Sequence, residues 1–309
     1  MNVNLWRCVF FAMAVGVSWV ECSPAAEAAK EVTIVAFGDS TTASRGKLKV
    51  YADVLEKELP ERGLFARVIN AGIGGNHTEH ARVRFEKDVL SHDPDIVIIQ
   101  FGINDAAVDV WKDPPATESR VPLEKFEKNL RHLLSVLEKR GTNVVLMTPN
   151  PLRWTPKMRE LYGRSPYLPD ETNGFNIKLE AYAETIRRIA KTENVLLIDV
   201  YRSFEEFSQT DGQSVDDLLL DGIHPNDRGQ RLIADQLMAL LLKSGTSNTL
   251  VSPETIDVKI IDNPETSSLS NPSDGTTNVR FEDYVSNPPP NHREPLQGWV
   301  GQFPIPFTG

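Results

Sequence analysis

The chain has 309 residues, 40% hydrophobic and 25% charged, the balance of a globular protein with room for one large domain and appendages. Its formal net charge of −10 is offset by no basic stripe, which argues against a nucleic-acid phosphate partner. Both cysteines, Cys8 and Cys22, lie near the start, so the rest of the chain can form neither a disulfide nor a thiolate metal site.

The first residues read as a leader rather than as part of the fold. Arg7 precedes an apolar stretch at 9–20, and small residues follow in Ser23-Pro24-Ala25-Ala26-Glu27-Ala28. That is the pattern of a secretory signal peptide over 1–28, with Ala26-x-Ala28 as one cleavage motif. The apolar stretch is shorter than the roughly 20 residues a spanning helix needs. A retained signal anchor and a lipid-modified Cys22 are the alternatives, although Trp19 and Glu21 fit a lipid-attachment motif poorly. The expected location is secreted or periplasmic, with no stable membrane insertion once the leader is removed.

Val32-Thr33-Ile34-Val35-Ala36-Phe37 is an apolar, β-branched run that stops at Gly38-Asp39-Ser40-Thr41. Such a run predicts a buried strand over 32–37, and Gly38 lets the backbone turn sharply as it leaves the sheet. Ser40 then stands at the carboxyl end of a strand, where open α/β sheets place their ligands. It becomes a nucleophile if a base lies within reach; by itself it reads as a turn serine or a helix cap.

A helix is predicted over 51–59, with Tyr51, Val54, Leu55 and Leu59 in one stripe and Pro60 and Gly63 as its stop. A strand at 66–69 leads into the loop Asn70-Ala71-Gly72-Ile73-Gly74-Gly75-Asn76, and a helix follows over 78–90. His77 and His80 form an i, i+3 pair near Glu79, but no third histidine is close, so a helix start is expected there and no metal. Asp93-Pro94 turns into a strand at 96–101, which ends at Gly102-Ile103-Asn104-Asp105. A helix over 123–140 carries Phe126, Leu130, Leu133, Leu134 and Leu137 on one face. A strand at 143–147, a helix at 176–191 and a strand at 195–199 follow, and a last helix spans 227–242.

Strands alternating with helices imply parallel pairing through right-handed crossovers. Two connections, 106–122 and 148–175, are too long for simple turns. Both leave strand carboxyl ends and should border the Ser40 cleft. Trp111 in one, and Trp154 with Arg153 and Tyr162 in the other, either form a sugar-stacking wall or pack these loops onto the sheet.

Asp221-Gly222-Ile223-His224 supplies the base that Ser40 lacks. An imidazole can take the hydroxyl proton and return it to a leaving alcohol, and a carboxylate three residues earlier can hold the ring. The alternative is a helix-start aspartate beside a histidine with a purely structural partner. From Ser244 the character changes: this segment holds nine of the chain's 21 prolines and is dense in Ser, Thr and Asn. Residues 255–261 alternate in an edge-strand pattern, and Phe281, Tyr284, Trp299, Phe303 and Phe307 are unusual in a solvated tail. A tail over 244–309 lying partly ordered on the surface is expected, with no catalytic role.

Gly38-Asp39-Ser40-Thr41, Asn70 to Asn76, Gly102 to Asp105 and Asp221 to His224 together resemble, in order and spacing, the four blocks of the SGNH hydrolases, the GDSL-like esterases and lipases. Thr41 stands where the family often has leucine, at a position that carries no chemistry. There is no Gly-x-Ser-x-Gly elbow, which argues against the ordinary α/β-hydrolase fold. The resemblance covers about 32–242 and implies a three-layer α/β/α sandwich over 29–243, its five-stranded parallel sheet in the flavodoxin-like order 2-1-3-4-5. It implies Ser40 as nucleophile, His224 as base, Asp221 as its orienting carboxylate, and an oxyanion hole from the Ser40 amide, the Gly75 amide and the Asn104 side chain. Gly75 is placed by matching Asn-x-Gly-x-x-Gly, with Gly74 one register away. Asp105 is expected to fix its loop and not to act in catalysis.

The function expected is a secreted serine esterase working through an acyl-enzyme without cofactor. Its substrate is a small-molecule or glycan ester, with an O-acetyl group on carbohydrate preferred. A lysophospholipase or lipase is the alternative, and a non-catalytic carbohydrate-binding module on the same fold is a second. Oligomeric state has no sequence signal.

Overall fold

The computed structural model describes residues 30–245. The expected leader, the strand at 255–261 and the aromatic tail lie outside the described residues. In chain order the elements are β1 (Val32–Gly38), α1 (Tyr51–Glu61), β2 (Ala66–Gly72), α2 (Thr78–Asp88), β3 (Ile96–Gln100), α3 (Ile103–Ala106), α4 (Leu123–Lys139), β4 (Asn143–Met147), α5 (Pro156–Tyr162), α6 (Leu179–Thr192), β5 (Leu196–Ile198), α7 (Val200–Phe207) and α8 (Asp227–Gly245). The five strands form one parallel sheet in the order β2-β1-β3-β4-β5, as expected.

Period-2 alternation divides the core. Val35, Phe37, Val97, Ile99 and Leu146 face one side and pack with buried residues of α2, α4 and α6. Ile34, Ala36, Ile98, Val145 and Met147 face the other and pack with α1, α7 and α8. The apolar stripe of α4, from Phe126 to Leu137, is wholly buried on the first side. Each of those side chains contributes about 1.5–3 kcal/mol by leaving water, and truncating Leu133 to alanine would cost about 2–5 kcal/mol.

Element limits differ from the sequence reading where local chemistry is specific. Pro60 does not stop α1 but sits in its last turn, one residue before the end. The helix expected over 78–90 ends at Asp88 and passes into a 3₁₀ turn at Leu90–His92, closed by Asp93 in a left-handed conformation. Helix α6 starts three residues later than expected, after Asn176 has turned its side chain to the Leu152 amide and carbonyl. Three helices were not expected. α3 is a single turn, too short for periodicity. α5 begins at Pro156 behind a Thr155 cap that accepts from the Met158 amide. α7 buries Val200, Tyr201, Phe204 and Phe207 behind an Asp199 cap, a legible helical stripe.

Register positions the site. Gly38, the last residue of β1, pairs with Gly72 on one side and Gln100 on the other, and Gln100 pairs with Met147. Four strands therefore end level, and the loops beginning at 39, 73, 101 and 148 leave from one edge of the sheet.

Candidate active site

Ser40 sits on a tight turn. The Asp39 carbonyl accepts from the Thr42 and Ala43 amides, and the Asp39 carboxylate accepts from the Thr41 amide and hydroxyl, each of the latter at 2.9 Å. The turn doubles back so closely that a Cβ on Gly38 would lie 2.1 Å from Thr42 Oγ1 and 2.9 Å from the Gln100 carbonyl. Glycine is required there by close approach. Gln100 packs against the turn: its Oε1 lies 3.1 Å from Thr41 Oγ1, and its Nε2 donates to the Thr148 carbonyl.

The loop before α8 carries the other two predicted residues. Asp221 Oδ1 accepts from the amides of Ile223 and His224, which folds 221–224 onto its own side chain. The Leu220 amide donates to the His224 carbonyl. From outside, the Arg153 amide donates to the Gly222 carbonyl and Asn150 Nδ2 to the Ile223 carbonyl, each at 2.8 Å. The long connection after β4 thus braces the histidine loop, a role its composition did not reveal.

These two loops meet. His224 Nδ1 lies 2.7 Å from Asp221 Oδ2, and His224 Nε2 lies 2.9 Å from Ser40 Oγ. Burial opposes ionisation of Asp221, but the charge of His224, the bonds from its ring and amide, and Arg45 outweigh it. Its pKa is held well below the usual carboxylate range. An ionised carboxylate only accepts, so Nδ1 carries the proton, Nε2 presents its lone pair, and the Ser40 hydroxyl donates to it. Ser40 and His224 are both buried. This line of contacts can pass the serine proton to imidazole while the carboxylate steadies the resulting cation.

Asn104 lies on α3 beside the Ser40 turn. Its Nδ2 donates to the Asn76 carbonyl at 3.1 Å and lies 3.4 Å from Asp39 Oδ2. Gly75 occupies the loop between Ile73 and Asn76, which the Asn76 amide closes onto the Ile73 carbonyl. Its φ of 73° needs glycine, as the third position of a type II turn does. Block two and block three are therefore joined through Asn104 and Asn76. Asp105 fixes its loop, accepting at Oδ1 from the Thr78 amide and hydroxyl. Burial, opposed by those bonds and reinforced by Asp39, pushes its pKa up to about 7.

His77 caps α2, and its ring stacks on His80 at 3.8 Å. No group of three or more His, Cys, Asp or Glu among the described residues is arranged to hold a metal. Trp111 and Trp154 are used in packing. Trp154 stacks on Phe175 at 4.5 Å, meets Tyr167 edge-on and donates from its indole to the Glu171 carbonyl. Trp111 donates to the Tyr162 hydroxyl and leans on the core. Of the two readings offered by the sequence, loop packing has its contacts on display. Sequence reasoning missed Arg120, whose guanidinium reaches Asn104; a lone arginine in a long loop carries no motif.

That sheet, with that line of contacts at its carboxyl edge, defines the chain as an SGNH hydrolase. It belongs to the GDSL-like Lipase/Acylhydrolase family, whose model matches residues 36–232, and it is a carboxylic ester hydrolase. It is 32% identical to the uncharacterized lipoprotein YqeF of Bacillus subtilis (strain 168), over 65% of this chain and 85% of that protein. It is 28% identical to an acetylxylan esterase of Geobacillus stearothermophilus, over 61% of this chain and 77% of that enzyme. The crystal structure of Axe2, an acetylxylan esterase from the same organism, superposes with a TM-score of 0.55 at 25% identity, covering 67% of this chain and 93% of Axe2. No helix among the described residues is long and apolar enough to cross a membrane.

Proposed function

We propose that the protein is an exported serine esterase that removes short acyl groups, O-acetyl above all, from carbohydrate. The observation that carries the serine mechanism is the 2.9 Å contact between Ser40 Oγ and His224 Nε2. Ser40 attacks the ester carbonyl as His224 takes its proton, and Asp221 stabilises the imidazolium. The tetrahedral oxyanion is held by the amides of Ser40 and Gly75 and by Asn104 Nδ2. His224 then protonates the leaving sugar hydroxyl, an acetyl-enzyme remains, and water releases acetate by the same steps in reverse roles. Every group this chemistry needs is a side chain or amide of the chain itself, and no cofactor enters.

The acetyl-carbohydrate preference is supported by the acetylxylan esterases among the relatives. Export is supported by the charged, apolar and small-residue pattern of 1–28 and by the lipoprotein among the relatives. The test is acetate release from acetylated xylan and xylo-oligosaccharides, set against p-nitrophenyl esters of rising chain length. Rapid acetate release with activity falling beyond short acyl chains is expected. Fast cleavage of long-chain esters without acetate release from glycans would overturn the substrate assignment.

A further inference from the structure

The long loop between α3 and α4 delivers one charged group to the centre of the site. Arg120 is part-buried, with 12% of its side chain exposed, and Asp109 beside it is buried, with 5%. Arg120 Nη2 and Nε donate to Asp109 Oδ1 at 2.7 and 3.0 Å, while Nη1 donates to Asn104 Oδ1 at 3.1 Å. The fork thus divides between a carboxylate that locks it and a carboxamide that it addresses. The loop is itself tied down: the Arg120 amide donates to the Ala107 carbonyl, the Ala116 amide to the Asp109 carbonyl, and the Val108 amide to the Tyr167 hydroxyl.

We propose that Arg120, locked by Asp109, is the positioning residue for Asn104 in the oxyanion hole. This rests on the reading of Asn104 as an oxyanion donor given above. Arginine has donors and no acceptor, so the Asn104 atom facing it must be the carbonyl oxygen. The amide nitrogen is thereby turned toward Asn76 and the Ser40 turn. A flipped carboxamide would present its oxygen to the developing oxyanion and repel it. Donation by a cation to the carbonyl also draws charge from the amide nitrogen and strengthens its N–H as a donor. Asn76 holds the same nitrogen from the other side, so the amide is pinned at both ends before substrate arrives, as preorganised stabilisation requires.

The experiment is steady-state hydrolysis of p-nitrophenyl acetate by the full chain, with Arg120→Met, Arg120→Lys and Asn104→Ala alone and combined. Thermal unfolding of each variant accompanies the kinetics. Arg120→Met should lower kcat about tenfold or more and change KM less than about threefold, because a misaimed donor is lost in the transition state and not in binding. Arg120→Lys should behave alike: an ammonium can answer Asp109 but cannot fork to Asn104 as well. It is the variant to read if methionine prevents folding. In the Asn104→Ala background either substitution should change kcat by less than about twofold, the coupling expected of residues acting through one another. An Asn104→Ala enzyme that is slow, beside Arg120 variants at full kcat, would overturn the role of Arg120 alone. So would equal kcat losses from the Arg120 substitutions in both backgrounds. An Asn104→Ala enzyme with undiminished kcat would remove the oxyanion reading itself, and the proposal with it.

Discussion

Ser40 Oγ and His224 Nε2 stand 2.9 Å apart although 184 positions separate them in the chain. The contact joins a turn after the first strand to a loop before the last helix. Asp221 Oδ2 completes the line at 2.7 Å from His224 Nδ1.

If that line is the catalytic unit, Ser40→Ala and His224→Ala should each lower kcat on a chromogenic acetate ester by roughly 10³-fold or more, and the double variant should be little worse than either. Multiplying losses in the double variant would show that the two residues do not act as a unit.

Asp221→Asn tests the tautomer. An asparagine can turn its NH₂ toward Nδ1 and leave the proton on Nε2, where it blocks acceptance from Ser40. A fall in kcat of about 10⁴-fold with near-native stability is expected, by analogy with the corresponding change in other serine hydrolases. Because Asp221 is held well below the usual carboxylate range, its own protonation should not shape the mildly acidic limb of the wild-type profile. An Asp221→Asn enzyme that keeps wild-type turnover would take the carboxylate out of the mechanism.

Gly38→Ala tests the geometry of the turn. The new methyl would meet Thr42 Oγ1 and the Gln100 carbonyl at 2.1 and 2.9 Å, and the second is rigid sheet backbone. The turn must move, at a cost of about 1–3 kcal/mol in urea unfolding, and Ser40 moves with it. Activity should fall by more than the loss of folded protein explains. A fully active, fully stable Gly38→Ala enzyme would contradict the close approach.

Asp105 makes stability pH-dependent. Its carboxyl is pushed up to about 7 in the folded protein, whereas in an unfolded chain it titrates near 3.9. Between those values the folded state keeps a proton that the unfolded state has released, so stability falls as pH rises. The contribution is fully present below about pH 4 and gone above about pH 7, on the same linkage argument. Asp39, also raised by burial, adds a slope of the same sign. Asp105→Asn should flatten the decline in unfolding free energy between about pH 4 and 7 and leave the Asp39 part. An unchanged slope would show that Asp105 is not the titrating group.

Much of the fold was legible because the strands announce themselves. The run at 32–37 is apolar and β-branched, and the stripe of α4 repeats phenylalanine and leucine along a buried face that Asn129 alone interrupts. The helix at 200–207 carries an equally regular stripe in Val200, Tyr201, Phe204 and Phe207 behind Asp199, but it follows the last strand with no loop between, which hides the change of period. The single turn at 103–106 left no signal, since one turn is shorter than the period by which a helix is recognised. Pro60 is tolerated in the last turn of α1, where its missing N–H leaves a single carbonyl four residues earlier without its helical partner, at an end that is already closing.

Taken alone, the chain's order of residues determined which strands form, that they run parallel, and which short blocks match those of the family, because alternation, turn residues and block spacing are local properties. Only the tertiary structure decided that Ser40 and His224 touch, that Arg153 and Asn150 brace the histidine loop, and that Arg120 reaches Asn104. Those contacts depend on four strands ending level at one edge of the sheet, and on two long loops whose course is set by what they pack against rather than by any period of their own.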